Sequence, residues 1–358
     1  MITSIRELAR IANVSRSTAS LAIRNSPRLA AATRERVQRL AREHGYSSDP
    51  VVATLMSQMR VSRKVRAIEK LAYLISCPTR FNSREDTNAL AYFEGANQRA
   101  SSLGYELEKF WAKEPGLTQS RLSKILHARG IRGVIIAPLH VARGHVSLDW
   151  QYFAAATMTE TIVKPDLHRT IHSHYRSMIL VMRRLKQHGY RRIGYANTIF
   201  QDNLSNNAWL GGYLVQSHQH SAEPIPPLLL ENWNKPAFRE WLSRHRPDAI
   251  VSNRLEPLEM LRDLRVKVPE DVGYARLDLV IEGSPWSGID QLPQQIGAGA
   301  VELVVAQLQT NQIGLPAYPK TQMINGIWRD GPTTFTSRPQ PVTPRQPRSR
   351  RPKKIART

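Results

Sequence analysis

Segments typical of buried strands alternate with segments typical of helices from Leu71 to Leu277, and no other sequence feature constrains the fold as strongly. Residues 71–75 and 133–137 are short apolar runs of the strand type, and the helical spacing of residues 89–103 lies between them. The alternation then lapses and resumes near Tyr175. Strands separated by helices of this length form parallel sheets through right-handed crossovers. Two such runs predict two α/β subdomains, an arrangement that commonly holds a ligand between its halves.

Residues 4–45 predict three short helices instead of strands. Asn13 follows the first helix, because asparagine tolerates the left-handed backbone that a tight turn between helices needs. Ser15 is the expected N-cap of a second helix that begins at Arg16, and a third helix ends at Gly45. Two helices joined by a turn of three or four residues and followed by a supporting helix are typical of helix-turn-helix DNA-binding domains.

Positive charge is concentrated at the two ends of the 358-residue chain, which has a formal net charge of +22. Residues 1–70 carry +9, and residues 338–358 carry +8 with no acidic residue, so that the segment between them carries only +5. This asymmetry predicts a polyanionic partner, either nucleic acid or an anionic membrane surface. The terminal segment is also rich in proline and poor in apolar residues, which predicts disorder.

Several classes of protein are excluded by what the sequence lacks. No apolar run approaches the roughly 18 residues of a membrane span, and the N-terminus lacks the basic-then-apolar order of a secretory signal. The single cysteine, Cys77, can neither form an internal disulfide bond nor supply a thiolate zinc cluster. The sequence therefore predicts a soluble cytosolic protein.

The sequence SIRELARIANVSRSTAS at residues 4–20 resembles the DNA-binding headpiece of the LacI/GalR family of bacterial transcription regulators. The resemblance continues into the core at residues 185–194, 265–273 and 328–332. It implies a multidomain fold: an all-α helix-turn-helix headpiece, a hinge helix, and an α/β periplasmic-binding-protein-like core of two Rossmann-like subdomains. Family members are usually homodimers that place two headpieces on pseudo-palindromic operator DNA, and the resemblance implies the same here.

The resemblance also implies domain boundaries. The predicted units are residues 1–48 for the helix-turn-helix domain, 49–70 for the hinge helix and linker, 71–161 with about 292–318 for the core N-subdomain, 162–291 with about 319–337 for the core C-subdomain, and 338–358 for a basic disordered tail. The tail lies outside the family pattern. It is expected either to add salt-dependent, sequence-independent DNA affinity or to be a solubilising extension with no role.

By resemblance, the second helix enters the major groove and carries the residues that read bases. Arg16 matches a base-reading position, where a bidentate contact to guanine would give about 1–3 kcal/mol of discrimination. Leu21 stands where the family commonly has arginine, so that any contact there is apolar. Leu55 matches the leucine that wedges into the minor groove and kinks the operator. The predicted DNA-binding residues are Ser4, Ile5, Ser15, Arg16, Ser17, Thr18, Ser20, Leu21, Arg24, Tyr46 and Leu55.

The residues alone allow simpler interpretations of this set. Arg16 could be a solvated charge on a helix, and Leu55 could merely pack the hinge helix. Three positions also depart from the family pattern, namely Pro50, Val52 and Ala30. Ala30 replaces the Ser or Thr that usually caps the third helix.

A small effector, usually a sugar or a nucleobase, binds between the subdomains in this family. Asp278 and Asn253 match polar ligand-binding positions, whereas Arg254 replaces the aspartate that accompanies the asparagine. Trp209 replaces an arginine, and it could stack on a sugar ring or belong to the core. These departures leave two alternatives open, an unusual ligand or a cleft that no longer binds one. The predicted effector-binding residues are Asp278, Asn253, Arg254, Trp209, Asn207 and His174.

Other motifs in the sequence are expected to be structural. Gly297 and Gly299 form part of a phosphate-binding pattern, but without a third glycine their expected role is close packing of a helix on the sheet. His168, His172 and His174 could be metal ligands by their spacing, but no strand or helix is predicted to position them. The sequence therefore predicts no metal, no cofactor and no catalytic residue.

The best-supported hypothesis is a sequence-specific transcriptional regulator, most simply a repressor, whose operator affinity is modulated by a small, sugar-like effector in the core cleft. Its expected partners are double-stranded operator DNA, the effector and a second copy of the chain, and its expected location is the cytoplasm, at the nucleoid. Two alternatives remain open. One is a cytosolic ligand-binding or enzymatic α/β protein with a vestigial headpiece, and the other is a nonspecific nucleoid-type DNA binder.

Overall fold

The computed structural model describes residues 5–23, 25–46, 69–77, 87–220, 223–279 and 285–336. These residues form a three-helix headpiece and an α/β core with two six-stranded sheets, which confirms the predicted fold class. Within these ranges, no helix combines the length and the apolar character that a membrane span requires. Most of the predicted hinge segment, residues 49–68, and the tail at residues 338–358 lie outside the described residues.

Three helices form the headpiece: α1 (Ile5–Ile11), α2 (Arg16–Ile23) and α3 (Ala31–Glu43). Small alanines at the contacts allow these helices to pack closely around two larger side chains, Leu8 and Val37. The buried residues are Leu8, Ala9, Ala12, Ala19, Ala22, Val37 and Ala41. The spacing of these apolar positions is what predicted the helices, and the observed helix ends lie within two residues of the predicted ones.

The turn between α1 and α2 has the two features that the sequence predicts. Asn13 has a φ of 49°, in the left-handed region. The hydroxyl oxygen of Ser15 accepts a hydrogen bond from the backbone N–H of Thr18 at 3.0 Å, as an N-cap does. The start of α3 has no such bond, because Ala30 offers no side-chain acceptor.

We expect Ser15→Ala to lower the free energy of unfolding of the headpiece by about 1 kcal/mol, because the Thr18 amide loses its acceptor. Ala30→Ser should have the opposite effect, since Ala30 already has the extended backbone of a capping residue. Hydrogen–deuterium exchange of headpiece amides in the intact chain measures both changes. Equal exchange in the wild type and in Ser15→Ala would contradict the capping role.

The core alternates strands and helices along the chain. In chain order its elements are β1 (Glu69–Ile75), α4 (Thr87–Ser102), β2 (Tyr105–Trp111), α5 (Gln119–Ala128), β3 (Gly133–Ile136), β4 (Gly144–His145), β5 (Ala154–Met158), β6 (Ile162–Lys164), β7 (His168–His172), α6 (His174–Gln187), β8 (Ile193–Thr198), α7 (Ile199–Leu204), α8 (Ala208–His220), β9 (Leu228–Leu230), α9 (Lys235–His245), β10 (Ala249–Ser252), α10 (Glu256–Asp263), β11 (Gly273–Leu279), β12 (Ser287–Asp290), α11 (Pro293–Thr310), β13 (Thr321–Ile324) and β14 (Ile327–Arg329).

The first sheet is entirely parallel, with the strand order β13-β7-β5-β3-β1-β2. Helices α4 and α11 pack on one face of it, and α5 covers the other. Gly297 of α11 allows a close approach to α4, because a Cβ there would lie 2.0 Å from the carbonyl oxygen of Tyr92. Gly299 packs closely against Thr170 of β7. The predicted helix–sheet packing is therefore confirmed for Gly299, whereas Gly297 serves the contact between two helices.

The second sheet has the strand order β14-β12-β11-β10-β8-β9, and its strands run parallel except for β14, which pairs antiparallel with β12. Helices α6 and α8 pack on one face of this sheet, and α9 and α10 pack on the other. Parallel sheets buried on both faces are typical of doubly wound folds, in which ligands bind at the carboxyl ends of the strands.

The two sheets divide the chain differently from the predicted subdomain boundaries. Strands β7 and β13 were expected in the second subdomain, but they pair with each other in the first sheet, with Thr321 opposite Arg169. The chain therefore crosses between the sheets after His172, after Asp290 and after Ile324. Short strands of mixed polarity do not reveal which sheet they join, because that depends on pairing between distant segments.

The expectation that no strand or helix positions His168, His172 and His174 is wrong. His168 and His172 are the first and last residues of β7, and His174 is the first residue of α6. The strand was missed because histidine, arginine and threonine interrupt its apolar pattern. Two of the three histidines consequently lie at the carboxyl end of a parallel strand, where ligands bind in this type of fold.

Candidate DNA-binding face and interdomain cleft

The predicted recognition helix, α2, has one buried face and one face turned away from the headpiece core. Ala19 and Ala22 are fully buried on the inner side. Arg16 and Ser17 are exposed on the other side, and Leu21 is half-buried there. At about 100° per residue, Ser17 and Leu21 lie about 40° apart and opposite the two alanines, while Arg16 lies at the edge of this face, about 100° from Ser17. Arg16 and Ser17 are nevertheless both exposed at the first turn of the helix, where a DNA groove can reach them.

Three hydroxyl groups cluster at the N-terminus of α2. The hydroxyl oxygen of Ser15 lies 2.7 Å from that of Ser17 and 2.8 Å from that of Thr18. Because Ser15 also caps the helix, its predicted phosphate contact must share an oxygen that already accepts a backbone hydrogen bond. The cluster is a compact set of neutral donors beside the charged side chain of Arg16, which suits contacts to a phosphate backbone.

Two polar side chains of α3 hold the first two helices in place, and no local sequence pattern predicts either contact. The guanidinium of Arg36 donates to the carbonyl of Ala12 at 2.7 Å, beyond the end of α1. The side-chain amide of Gln38 donates to the carbonyl of Ala22 at 2.9 Å, in the last turn of α2. In the sequence, both residues look like members of a solvated helix face. These two hydrogen bonds tie α3 to the residue after α1 and to the last turn of α2.

The remaining predicted DNA-binding residues fall into two groups. Ile5 and Tyr46 are half-buried and pack against the headpiece core, while Ser20 is half-buried on α2. Ser4, Arg24 and Leu55 lie outside the described residues.

A cleft of about 290 Å³ lies between the two sheets, at the carboxyl ends of their strands. Tyr73 and Ile75 reach it from β1, Thr159 from the end of β5, and His172 from β7. Residues of the second subdomain form the opposite wall. They include Gln201, Leu204, Ser205, Trp209, Asn253, Arg254 and Asp278. The location is the one that the sequence predicts for a ligand site.

Five of the six predicted effector-binding residues line this cleft, namely Asp278, Asn253, Arg254, Trp209 and His174. Asn207 does not line it. The Asn207 side chain is exposed, its φ is 60°, and its backbone N–H donates to the carbonyl of Asp202 at 2.8 Å. Asn207 thus serves the turn between α7 and α8, for which a left-handed asparagine is well suited.

The inner end of the cleft is a cluster of three rings. The ring centroids of His172 and His174 lie 5.1 Å apart. The ring centroid of Trp209 lies 5.6 Å from that of His172 and 5.0 Å from that of His174. Trp209 is only 1% exposed and belongs to the core of the second subdomain. Of the two alternatives for this residue, the structure favours core packing over stacking on a sugar ring.

The two histidines at the inner end are uncharged at neutral pH. Burial lowers the pKa of His172 to about 4, and it lowers the pKa of His174 well below its usual value. A neutral imidazole has one N–H donor and one acceptor nitrogen. Both histidines can therefore bind groups such as hydroxyls, which donate and accept.

One buried polar side chain in the cleft has an atom without a hydrogen-bond donor in the described part of the chain. The ring of His172, which is 2% exposed, lies beside the backbone of Gln291. The amide oxygen of Asn253, which is 9% exposed, lacks a donor. Because buried polar atoms without partners are costly, they indicate a site for a ligand or water. The sequence predicts no effector-binding role for His172, because its place in the cleft depends on the pairing of β7 with strands distant in sequence.

The charged groups of the cleft interact with neighbouring side chains. The side-chain amide of Asn88 donates to the carboxylate of Asp278 at 3.0 Å, and this hydrogen bond joins the two subdomains. Arg254 forms an ion pair with Glu256 at 3.2 Å. Asn88 was not predicted as a site residue, because it is distant in sequence from every motif. The cleft thus presents mainly neutral donors and acceptors to a ligand.

Comparison with known proteins identifies the headpiece and the fold of the core. Residues 4–49 match the sequence profile described as bacterial regulatory proteins, lacI family. No curated protein gives a significant match to the chain.

Three solved structures represent the structural similarity. The transcriptional regulator CelR in complex with cellobiose has a TM-score of 0.55 and 18% identity, over 93% of this chain and 100% of that one. The lac repressor dimer bound to operator and the anti-inducer ONPF has a TM-score of 0.53 and 17% identity, over 94% and 100%. The transcription regulator CcpA of Lactococcus lactis has a TM-score of 0.53 and 14% identity, over 74% and 100%.

At these identities the structural similarity establishes a shared fold, while the sequence match identifies the headpiece. The predicted resemblance is therefore confirmed: residues 4–49 match the profile of the lacI family of bacterial regulatory proteins, and the core that follows has the same fold as these solved structures.

Proposed function

We propose that the chain is a sequence-specific DNA-binding transcriptional regulator, acting as a repressor that binds a pseudo-palindromic operator as a homodimer. The observation that carries this proposal is the lacI-family headpiece, whose helix α2 exposes Arg16 and Ser17 on a face free of core contacts. The solved lac repressor is a dimer bound to operator, which supports the same arrangement here. The basic residues near the N-terminus supply attraction to DNA phosphates.

The second part of the proposal is a small, sugar-like effector in the interdomain cleft that modulates operator affinity. The neutral histidines and the unpartnered oxygen of Asn253 favour an uncharged ligand rich in hydroxyl groups. CelR was solved with cellobiose, which supports a sugar in a cleft of this fold. A ligand that binds one arrangement of the subdomains more tightly than another shifts the population of DNA-binding molecules.

We also propose that the chain acts by binding and not as an enzyme, in the cytoplasm and at the nucleoid. In the part of the chain that the structure describes, no group of three metal-ligating side chains is arranged to hold an ion. A nonspecific nucleoid-type binder is the second candidate, and the charge at both ends of the chain favours it.

Selection of bound sequences from a random DNA pool tests the regulator proposal against this second candidate. A specific regulator should enrich one pseudo-palindromic motif and bind it at least about 1,000-fold more tightly than random DNA at physiological salt. A salt series then separates the contribution of base contacts from that of phosphate contacts, because phosphate contacts weaken steeply with salt for every sequence. Enrichment of no motif, with equal affinity for all DNA, would support the nonspecific binder instead.

Asn253→Ala should weaken sugar binding in the cleft by about 2- to 10-fold, the effect of one neutral hydrogen bond. The measurement is a thermal-shift titration of the intact protein with a panel of monosaccharides, followed by operator binding with the best of them. Asn203→Ala is the matched control, because Asn203 is exposed and does not line the cleft. Unchanged sugar affinity in Asn253→Ala would contradict the assigned site and leave the DNA-binding proposal standing.

A further inference from the structure

The core has two far ends, one in each subdomain, and both lie away from the cleft. The carboxyl ends of the parallel strands of both sheets face the cleft, so that the amino ends of these strands form the far ends of the core. The headpiece is attached at the first of them, because β1 begins at Glu69. There the side-chain amide of Asn311 donates to the carbonyl of Asn25 of the headpiece and accepts from Arg132, the residue before β3.

The C-terminal part of the chain leaves the core at the opposite end, which is called the distal end. The backbone N–H of Phe335 donates to the phenolic oxygen of Tyr190 at 3.0 Å. Tyr190 lies before the start of β8, and its ring packs against Gly273, the first residue of β11. The basic tail, residues 338–358, therefore begins close to the amino ends of the second sheet. The headpiece and the tail are thus attached at opposite ends of the core.

The distal end is itself rich in positive charge. Seven arginine and lysine residues lie in the second half of α6, before β8 and around the end of α9. They are Arg183, Arg184, Lys186, Arg191, Arg192, Arg244 and Arg246, and together they are called the distal basic surface. All of them except the half-buried Lys186 are exposed. Two acidic residues, Asp248 and Asp330, lie beside them, so that the surface keeps a positive net charge.

Hydrogen bonds hold the separate parts of the distal basic surface together. The guanidinium of Arg192 donates to the carbonyl of His245 at 2.5 Å and to that of Arg246 at 3.2 Å. These bonds tie the segment that carries Arg191 to the segment that carries Arg244. Exposed cations that the fold holds close together on one face are the electrostatic signature of a surface that binds a phosphate backbone.

The tail continues this surface with the same chemistry. It has eight basic residues and no acidic residue, and its aliphatic side chains are those of Val342, Ile355 and Ala356. Segments that insert into a membrane surface need a larger apolar face than these residues supply, so that DNA is the polyanion that the tail fits best. A fully extended chain of 21 residues spans at most about 70 Å, which is about two turns of a DNA duplex.

We propose that the distal basic surface and the tail bind a second DNA duplex, so that the protein joins two duplexes. In the proposed regulator complex the operator lies at the headpiece end of the core. DNA is stiff over about 150 bp, so that a short operator duplex cannot bend around the core to the distal end. The partner at the distal end is therefore a separate duplex or a distant part of the same DNA. Phosphate contacts bind it without reading its sequence, and no effector is required.

Retention of a second duplex by the full-length protein tests the inference. A duplex of about 40 bp recovered from the random pool is immobilised and loaded with protein, and a labelled duplex of about 200 bp with unrelated sequence is added at about 0.1 M salt. The protein should retain the labelled duplex at least about 5-fold above the background without protein. Retention should also fall steeply as the salt concentration rises, because the second contact is electrostatic.

Two variants and a control locate the second contact. Removal of residues 338–358 should lower retention of the labelled duplex at least about 10-fold and change binding to the immobilised duplex less than about 2-fold. Arg191→Gln combined with Arg244→Gln should lower retention about 5-fold, because two exposed cations of the distal basic surface are lost. Arg121→Gln combined with Lys124→Gln is the matched control, since it removes two exposed cations from α5 in the first subdomain and should change neither measurement.

Four results would overturn the inference. The first is no retention of the labelled duplex, and the second is retention that neither variant lowers, which would assign the joining of duplexes to the headpieces. The third is an equal loss of both measurements when the tail is removed, which would place the tail on the operator itself. The fourth is tail-dependent binding to vesicles of phosphatidylcholine and phosphatidylserine without retention of DNA. An enriched operator motif without retention contradicts this inference alone, whereas retention without an enriched motif contradicts the regulator proposal alone.

Discussion

Replacing Arg16 with alanine is expected to weaken operator binding by about 30-fold or more. One bidentate contact to a guanine is worth about 1–3 kcal/mol of base discrimination, and a dimer makes the contact in two half-sites, so that about 2–6 kcal/mol is lost. The side chain is exposed at the first position of α2, beside the hydroxyl cluster of Ser15, Ser17 and Thr18. In the proposed complex, Arg16 is therefore placed to reach a base edge and its neighbours are placed to contact phosphates.

Measuring Arg16→Ala on operator and on random DNA distinguishes a base contact from a phosphate contact. Arg42→Ala is the matched control, because it removes the same charge from an exposed position on α3. The control should weaken both kinds of DNA by the same small factor and keep the base preference. In Arg16→Ala, the loss of a base contact should instead relax the base preference at one position of each half-site. An equal loss on operator and random DNA in Arg16→Ala would assign Arg16 to a phosphate.

The regular part of this fold was predictable from the sequence because its signal is local. Helices such as α2 and α3 bury residues spaced by one helical turn, and buried strands such as β1 and β3 are continuous apolar runs. Strand β7 was missed, since its sequence of histidine, arginine and threonine has no such pattern. Its burial comes from pairing with β5 and β13, which are distant in sequence.

The candidate site was predictable to the extent that motif positions carry it. Asn253 and Arg254 follow β10, Asp278 lies near the carboxyl end of β11, and all three line the cleft as expected. Asn88 and His172 reach the cleft because segments that are distant in sequence come together in the fold. No local sequence pattern predicts which segments do so. Whether a polar atom finds a partner is likewise a property of the assembled cleft.

Asp202 is expected to make the protein less stable as the pH rises through the weakly acidic range. Its side chain is 1% exposed, and one carboxylate oxygen accepts from the hydroxyl of Tyr195 at 2.8 Å. Burial raises the pKa of Asp202 from 3.8 to about 6, although hydrogen bonds with Tyr195, with the backbone of Leu210 and with Asn197 lower it. Because the Asp202 carboxylate is buried, its ionisation changes the free energy of unfolding and not the binding of a ligand.

The sign of the effect follows from the two pKa values. Below about pH 3.8 the folded and unfolded chains both hold the proton, and above about pH 6 neither does. Between these values only the folded chain holds it, so that the free energy of unfolding falls as the pH rises, by about 3 kcal/mol in total at 1.36 kcal/mol per pKa unit. At neutral pH the folded protein therefore contains a buried carboxylate that destabilises it.

Asp202→Asn should remove this cost, because the amide is neutral at every pH and its oxygen can still accept from Tyr195. Urea unfolding at pH 5 and pH 8 should show a variant that is up to about 3 kcal/mol more stable than the wild type at pH 8 and less different at pH 5. Asp263→Asn is the control, since it removes an exposed carboxylate paired with Lys235 and should give no gain at pH 8. A variant less stable than the wild type at pH 8 would show instead that the ionised carboxylate stabilises α7, the helix that holds Phe200 and Gln201 at the cleft.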